Sequence, residues 1–223
     1  MKLVTFQTME ALKELITKGY LETNPKYINE QKNGFVYNWV VKNMTKKIPN
    51  THNANYPIWC WVKYKNGICP PKRKGDPIKG YDVKITFKKL EADVFVTDFR
   101  RYSFLLNNKY IPKNKQDYQQ FSKLLLKYKI TDEDLKAYVR KDKYPTHRMD
   151  KEFLDVCKQI ENSFDRVITR DSDILQGCVW RINIEDVSNI EILKNDGYRY
   201  GSVNYIRSNG KRFNWIEDFY KKL

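Results

Sequence analysis

Tyr56-Pro57-Ile58-Trp59-Cys60-Trp61 is the stretch whose residue types and spacing point most directly to ligand chemistry. In an extended strand successive side chains alternate, so Tyr56, Ile58 and Cys60 share one face while Pro57, Trp59 and Trp61 share the other. Two indoles two residues apart make a platform on which a nucleobase, a nicotinamide or an adenine ring can stack, at about 1–3 kcal/mol per base. The same indoles also suit a core, packed against the helix that carries Trp39, if each N–H finds an acceptor. Both readings stay open at the level of sequence. Tyr56, Trp59 and Trp61 are the candidate ring-binding residues.

Immediately downstream the positive charge is concentrated. Between 63 and 89 lie Lys63, Lys65, Lys72, Arg73, Lys74, Lys79, Lys84, Lys88 and Lys89, against only Asp76 and Asp82. Lys72-Arg73-Lys74 falls in a Pro/Gly-rich loop, KNGICPPKRKGDPIKG, at 65–80. Lysine and arginine contacts to phosphate give affinity without sequence preference. Lys63, Lys65, Lys72, Arg73, Lys74 and Lys79 are therefore the candidate nucleic-acid contacts; a solvated loop in a Lys-rich chain is the alternative. The whole chain has 42 Lys and Arg against 27 Asp and Glu, a formal net charge of +15. Such an excess concentrates anions around a protein. Nucleic acid is the first partner class it implies, ahead of an anionic membrane or an acidic protein.

Other chemistries are poorly supplied. The two histidines, His52 and His147, sit in polar, loop-like contexts with no second ligand at metal spacing, which argues against His-dependent hydrolysis. No carboxylate pair has the spacing of a two-metal nuclease, and no metal site is expected. Asp98 ends the strand-like run VFVTD and precedes Arg100 and Arg101; it could act as a base or cap the next turn. Cys60, Cys69, Cys157 and Cys178 form no Cys-x-x-Cys pair, so neither a zinc ribbon nor a dithiol redox site is indicated. Gly-x-Gly-x-x-Gly and P-loop motifs are missing. The start, Met1-Lys2-Leu3-Val4, lacks the apolar stretch of a signal peptide, and no run approaches the ~18 apolar residues of a membrane span. Cytoplasm is the expected compartment and no membrane partner is expected.

Several elements must position these residues. Leu3 to Gln7 reads as a strand. Thr8 reads as an N-cap before Met9, Leu12, Leu15 and Ile16 at helical spacing, with Gly19 as terminator. A second helix is expected from about Gly34 to Lys47, with Val36, Trp39, Val40 and Met44 on one face. Strands follow at Tyr56–Tyr64, Tyr81–Phe87 and Asp93–Thr97, then a short helix or turn at Phe99–Asn108. From 109 to 170 only helices are expected, one of them opened by a capping box of Thr131 and Asp134. Strand character returns at Ile174–Ile184 and Ile190–Leu193, and Asn209-Gly210 signals a hairpin in the tail. The reading is a single α+β domain over 1–223: a mixed or antiparallel sheet with flanking helices, a helical insert at 109–170 and a C-terminal hairpin or tail at 194–223.

The pattern VTFQT near the start, then WVVKNMTKKI, YPIWCW, VFVTDF with LLNN, and LQGCVWRINIEDV resembles an uncharacterised bacterial family, the domain-of-unknown-function 3841 family. The resemblance runs over Met1 to about Asn108 and about Ile174 to Leu193. In outline the order of elements is also similar to ADP-ribosyltransferase-like folds, which start on a strand with a polar NAD-binding residue, place an aromatic on a middle strand and a Glu or Gln on a late one. That resemblance implies Gln7, Trp59 or Trp61, and Gln176 around NAD as cofactor. Because an amide cannot act as a base, a Gln at that place implies either a binding module or another carboxylate, such as Asp98. The implied function is an ADP-ribosyltransferase-like toxin or effector, of the sort carried by mobile elements, acting on a nucleic acid or nucleic-acid-associated target. The alternative is a non-catalytic polyanion-binding or inhibitory protein, with nucleic acid or an acidic protein as partner. The transferase reading requires Gln7, a tryptophan of YPIWCW and Gln176 to converge on one cleft.

Overall fold

The computed structural model describes residues 1–27, 30–70, 83–139, 148–195 and 200–207. In chain order the principal elements are β1 (Lys2–Gln7), α1 (Met9–Lys18), β2 (Tyr20–Leu21), α2 (Glu30–Thr45), β3 (Ile58–Tyr64), β4 (Val83–Lys88), β5 (Phe95–Asp98), α3 (Phe99–Leu106), α4 (Lys115–Lys127), α5 (Asp132–Val139), α6 (Lys151–Ser163), β6 (Ile174–Val179), β7 (Ile182–Asn183), β8 (Val187–Asn195) and β9 (Tyr200–Arg207). The fold is α+β. A seven-stranded sheet runs β5-β6-β3-β1-β4-β8-β9, and β2 pairs with β7 in a second, two-stranded sheet. The pairs β1–β3, β1–β4, β3–β6, β4–β8 and β8–β9 are all antiparallel.

The chain divides into two compact units. One comprises Met1–Ile28, Val41–Val96 and Asp173–Leu223; the other comprises Asn29–Val40 and Thr97–Ser172. The sequence places a helical insert at 109–170. The second unit starts earlier, at Thr97, and takes in most of α2 as well.

In the first unit one core cluster lies on the α1-covered face of the sheet, and Val4, Ile174 and Cys178 are buried on the other face. Strand alternation sends Leu3, Ile85, Phe87, Ile58, Cys60 and Ile190 to the α1-covered face, where they pack with Leu12, Leu15 and Ile16 of α1. Helix α1 forms where the sequence signals it. Its apolar residues recur at helical spacing, the Thr8 hydroxyl accepts from the Ala11 N–H at 3.2 Å, and Gly19 ends it in the left-handed conformation at φ 78°. The reversal at Gly19 leads straight into β2. On the far side β7 lies against it, with Tyr20 opposite Asn183 and Leu21 opposite Ile182.

The run Ile174–Ile184, expected as one strand, is two. The chain bends at Trp180, whose buried indole N–H donates to the Ile48 carbonyl at 3.0 Å. Beyond the bend, Arg181 stacks its guanidinium 3.9 Å from the Tyr20 ring centroid and donates to Glu22 at 2.8 and 2.6 Å. Alternation alone could not show this break, because apolar residues continue through it. The Asn209-Gly210 hairpin signal lies outside the described residues.

In the second unit each helix has a local start signal. Asn114 caps α4 by accepting from Asp117, and Asp150 caps α6 by accepting from Phe153, both at 2.9 Å. Thr131 and Asp134 form the expected reciprocal box before α5. Phe153, Val156, Cys157 and Ile160 make the buried face of α6, and Phe35 of α2 meets Phe164 edge to face at 5.9 Å. No helix among the described residues is long and apolar enough to cross a membrane.

Candidate functional site

The register of the large sheet decides which candidates share a face. Trp61 lies opposite Val4 on β1 and opposite Gln176 on β6. Cross-strand partners project to the same side, so Gln176, Trp61 and Val4 form one row, and Trp59 stands opposite Cys178 in the next row. This is the face away from the Leu3–Ile85–Cys60 core. Gln7 lies opposite Val83 on β4. It is three residues from Val4, and an odd step reverses the direction of the side chain. Gln7 therefore stands on the core face, where its amide donates to the Thr5 hydroxyl at 2.8 Å and Thr5 donates to the Trp59 carbonyl at 2.8 Å. The expected convergence of Gln7 with Trp59, Trp61 and Gln176 does not occur: the two glutamines occupy opposite sides of one sheet.

The aromatic face is longer than plain alternation implies. Between Trp61 and Lys63 the β3–β6 register shifts, leaving Val62 as the extra residue of a β-bulge. Past the bulge Tyr64, opposite Ile174, takes the place on this face that alternation would give to Lys63. Trp61 and Tyr64 meet edge to face with centroids 5.9 Å apart, a favoured aromatic arrangement. Gly177 makes the bulge possible. A Cβ there would fall 2.8 Å from Val94, 2.9 Å from Val62 and 3.2 Å from the Cys60 sulfur. Trp59, Trp61 and Tyr64 are half-buried.

A turn after β3 fixes the cations beside these rings. Tyr64 and Gly67 exchange backbone hydrogen bonds at 2.8 and 2.9 Å, and Lys65 donates its N–H to Asp173 at 2.7 Å. Lys65 adopts φ 51°, and its Nζ sits 6.0 Å from the Tyr64 ring centroid. Lys63 and Lys65 are exposed. On the neighbouring strands Lys2 lies directly opposite Lys88, both exposed and both on the tryptophan face. A like-charge pair placed this way is unfavourable, and neither lysine has an acidic partner among the described residues. Lys2 and Lys88 enter the site only through strand order, which sequence spacing does not reveal. Two other cations of the basic block are already neutralised: Lys84 by Glu191 at 2.9 Å and Lys89 by Asp186 at 2.7 Å. Lys72, Arg73, Lys74 and Lys79 lie outside the described residues.

Gln176 is 8 % exposed, and its Nε2 meets no hydrogen-bond partner among the described residues. An unsatisfied buried amide of this kind costs about 1–3 kcal/mol. Cys178 on the same face and Cys60 on the other are free thiols. Burial pushes both thiols far up, so both stay protonated and neither is a nucleophile at neutral pH. Tyr56, half-buried, precedes β3 and belongs to no strand. Asp98 belongs to the second unit, and its Oδ1 accepts from the N–H groups of Arg100 at 2.7 Å and Arg101 at 2.9 Å. It is the N-cap of α3, the capping alternative read from the sequence. Exposed His52 lies in a turn, and His147 lies outside the described residues. Among the described residues no group of three His, Cys, Asp or Glu side chains could hold a metal ion.

Aromatic rings beside ammonium groups that lack acidic partners among the described residues are the groups that can stack on a planar ring and neutralise phosphates. Among known proteins, the model of a family described as a domain of unknown function (DUF3841) matches residues 2–188. The match runs through the helical stretch 109–170, which the sequence resemblance had left out. No curated protein and no solved structure matches the chain.

Proposed function

We propose that this chain, which belongs to the DUF3841 family, is a non-catalytic module that binds single-stranded nucleic acid. The observation that carries the reading is the shared face of Trp59, Trp61 and Tyr64, beside which lie Lys2, Lys65 and Lys88. Bases stack on the rings and phosphates pair with the ammonium groups, so affinity comes with little sequence preference. The net charge of +15 raises the local concentration of the polyanion. Rings recessed on a sheet cannot reach bases stacked inside a duplex, which favours a strand whose bases are already free.

ADP-ribosyl transfer to such a target would need Gln7 and Gln176 around one NAD. Their placement on opposite faces keeps the two glutamines from sharing one site.

The test is the salt dependence of binding. Three neutralised phosphates on a single strand give a slope of about −2 in log K against log salt. The double substitution Lys65→Glu with Lys88→Glu weakens binding and flattens the slope by about 1.4. A slope near zero, or a slope that the double variant leaves unchanged, contradicts the reading.

A further inference from the structure

Helix α4 is amphipathic in charge as well as in hydropathy. Phe121 is its buried residue, and Asp117 lies toward that side, where its carboxylate accepts from the Tyr110 hydroxyl and the Arg166 guanidinium. At 3.6 residues per turn Lys115, Gln119, Lys123 and Lys127 fall on the opposite side, and all four are exposed. Exposed Gln116 lies among them. No acidic residue of the helix stands in this row, and none of its lysines has an acidic partner among the described residues. Lys127 rests its Nζ 5.1 Å from the Tyr128 ring centroid, a contact that leaves the charge unneutralised. Leu126 is exposed there as well, a single apolar residue of the kind any surface carries.

A Lys-rich composition does not by itself account for the row. In α1, exposed Lys13 and Lys18 stand beside Glu10 and Glu14, and Lys18 pairs with Glu14. In α6, exposed Lys151 and Lys158 are interspersed with exposed Glu152, Asp155 and Glu161. The outward side of α4 carries cations and amides without that balance. Protein–protein interfaces are depleted in lysine and rely on aromatic residues, Met and Arg, whereas lysine and glutamine both donate to phosphate oxygens. Lys123 and Lys127 lie about 12 and 18 Å beyond Lys115 along the helix axis. Double-stranded DNA carries one negative charge per about 1.7 Å of its own axis, so phosphates lie within reach all along such a row.

We propose that the outward side of α4 is a second nucleic-acid-contacting surface, holding the phosphate backbone of a duplex through Lys115, Lys123 and Lys127. It goes beyond the ring-face reading and does not depend on it, because phosphate contacts need no free base. The glutamines between the lysines add neutral donors to the same backbone.

The experiment titrates the full chain with labelled blunt-ended double-stranded DNA over a range of salt. Three neutralised phosphates give a slope of about −2.7 or steeper in log K against log salt. Lys115→Gln with Lys123→Gln and Lys127→Gln, which keeps good helix formers in place, weakens duplex binding and flattens the slope by about 2.7. The corresponding Lys→Arg variant keeps the slope. A control with the same change in net charge, Lys13→Gln with Lys151→Gln and Lys158→Gln, also keeps it. A wild-type chain that ignores the duplex overturns the inference, and so does an α4 variant with the wild-type slope. A control that flattens the slope as much as the α4 variant overturns it too, since the effect would then belong to net charge. Binding of polyglutamate that the α4 variant loses, without duplex binding, would assign the row to an acidic protein instead. The ring-face reading is scored separately: Lys65→Glu with Lys88→Glu flattens the slope on a single strand and leaves the duplex slope unchanged, so either reading can fail while the other stands.

Discussion

Gln7 and Gln176 lie on opposite faces of the same antiparallel sheet: Gln176 shares a row with Trp61 and Val4, while Gln7 stands opposite Val83 above the α1-covered core. The odd separation of Gln7 from Val4 enforces this, and slipping β1 by one residue would turn Leu3 out of the core along with it. The two residues therefore answer differently to substitution. Gln7→Ala is expected to leave oligonucleotide affinity within about twofold of wild type, since it stands on the opposite face, where its amide donates to Thr5. Trp61→Ala is expected to weaken binding by about 1–3 kcal/mol, one stacked base. Titration of both variants with the same labelled oligonucleotide checks the pair; equal losses would contradict the assignment of faces to roles.

Gly177 supports the bulge that carries Tyr64 onto the ring-bearing face. Its missing side chain leaves room for Val94, Val62 and the Cys60 sulfur. Gly177→Ala forces branched neighbours to move and is expected to destabilise the fold by about 1–3 kcal/mol. Urea denaturation measures the loss. A variant as stable as wild type would mean that β3 and β6 part easily at this point.

Asp98 is expected to behave as a cap. Asp98→Ala removes the acceptor for two backbone N–H groups of α3 and should cost about 0.5–2 kcal/mol in a urea melt. Asp98→Asn, also a good N-cap residue, should recover most of it. Neither is expected to alter oligonucleotide affinity. Loss of binding in both variants without loss of stability would assign the carboxylate a direct role instead.

Acid sensitivity should arise in the helical unit. The Asp117 carboxylate accepts from the Lys113 N–H at 2.7 Å, the Tyr110 hydroxyl at 2.9 Å and the Arg166 guanidinium at 3.2 Å. The backbone N–H is the largest influence holding its carboxyl below the usual range. Asp150 is held down in the same sense, first by the Phe153 N–H and then by Arg148. A carboxyl with a lower pKa folded than unfolded stabilises the fold fully above the unfolded value, about pH 4, and loses that effect as pH falls through the folded value. Asp117→Asn with Asp150→Asn should therefore melt below wild type at pH 7 and converge with it in strong acid. Parallel melting curves from pH 7 to pH 2 would contradict this linkage.

Local signals in the sequence were good guides to local structure. Thr8 and Gly19 bracket α1, Thr131 and Asp134 box α5, and the alternation of YPIWCW put Trp59 and Trp61 on one face, because these features depend on neighbours within four residues. What could not be read depends on partners far along the chain. Lys2 joins Lys88 only once β1 is known to pair with β4. Tyr64 replaces Lys63 on the ring face only because β6 presents Gly177 to the bulge. Trp180 breaks an apolar run because Ile48, distant in sequence, takes its indole N–H. Residue-by-residue transfer of a remote fold pattern failed at Gln7 for the same reason, since it carried residue types without strand register.

Ultraviolet crosslinking of oligo(dT) to the full chain, followed by mass spectrometry of the joined peptides, tests the central claim most directly. Crosslinks at Trp59, Trp61 or Tyr64, lost on competition with unlabelled single strand, are the predicted result. Crosslinks that spare all three rings while the strand remains bound would contradict the account.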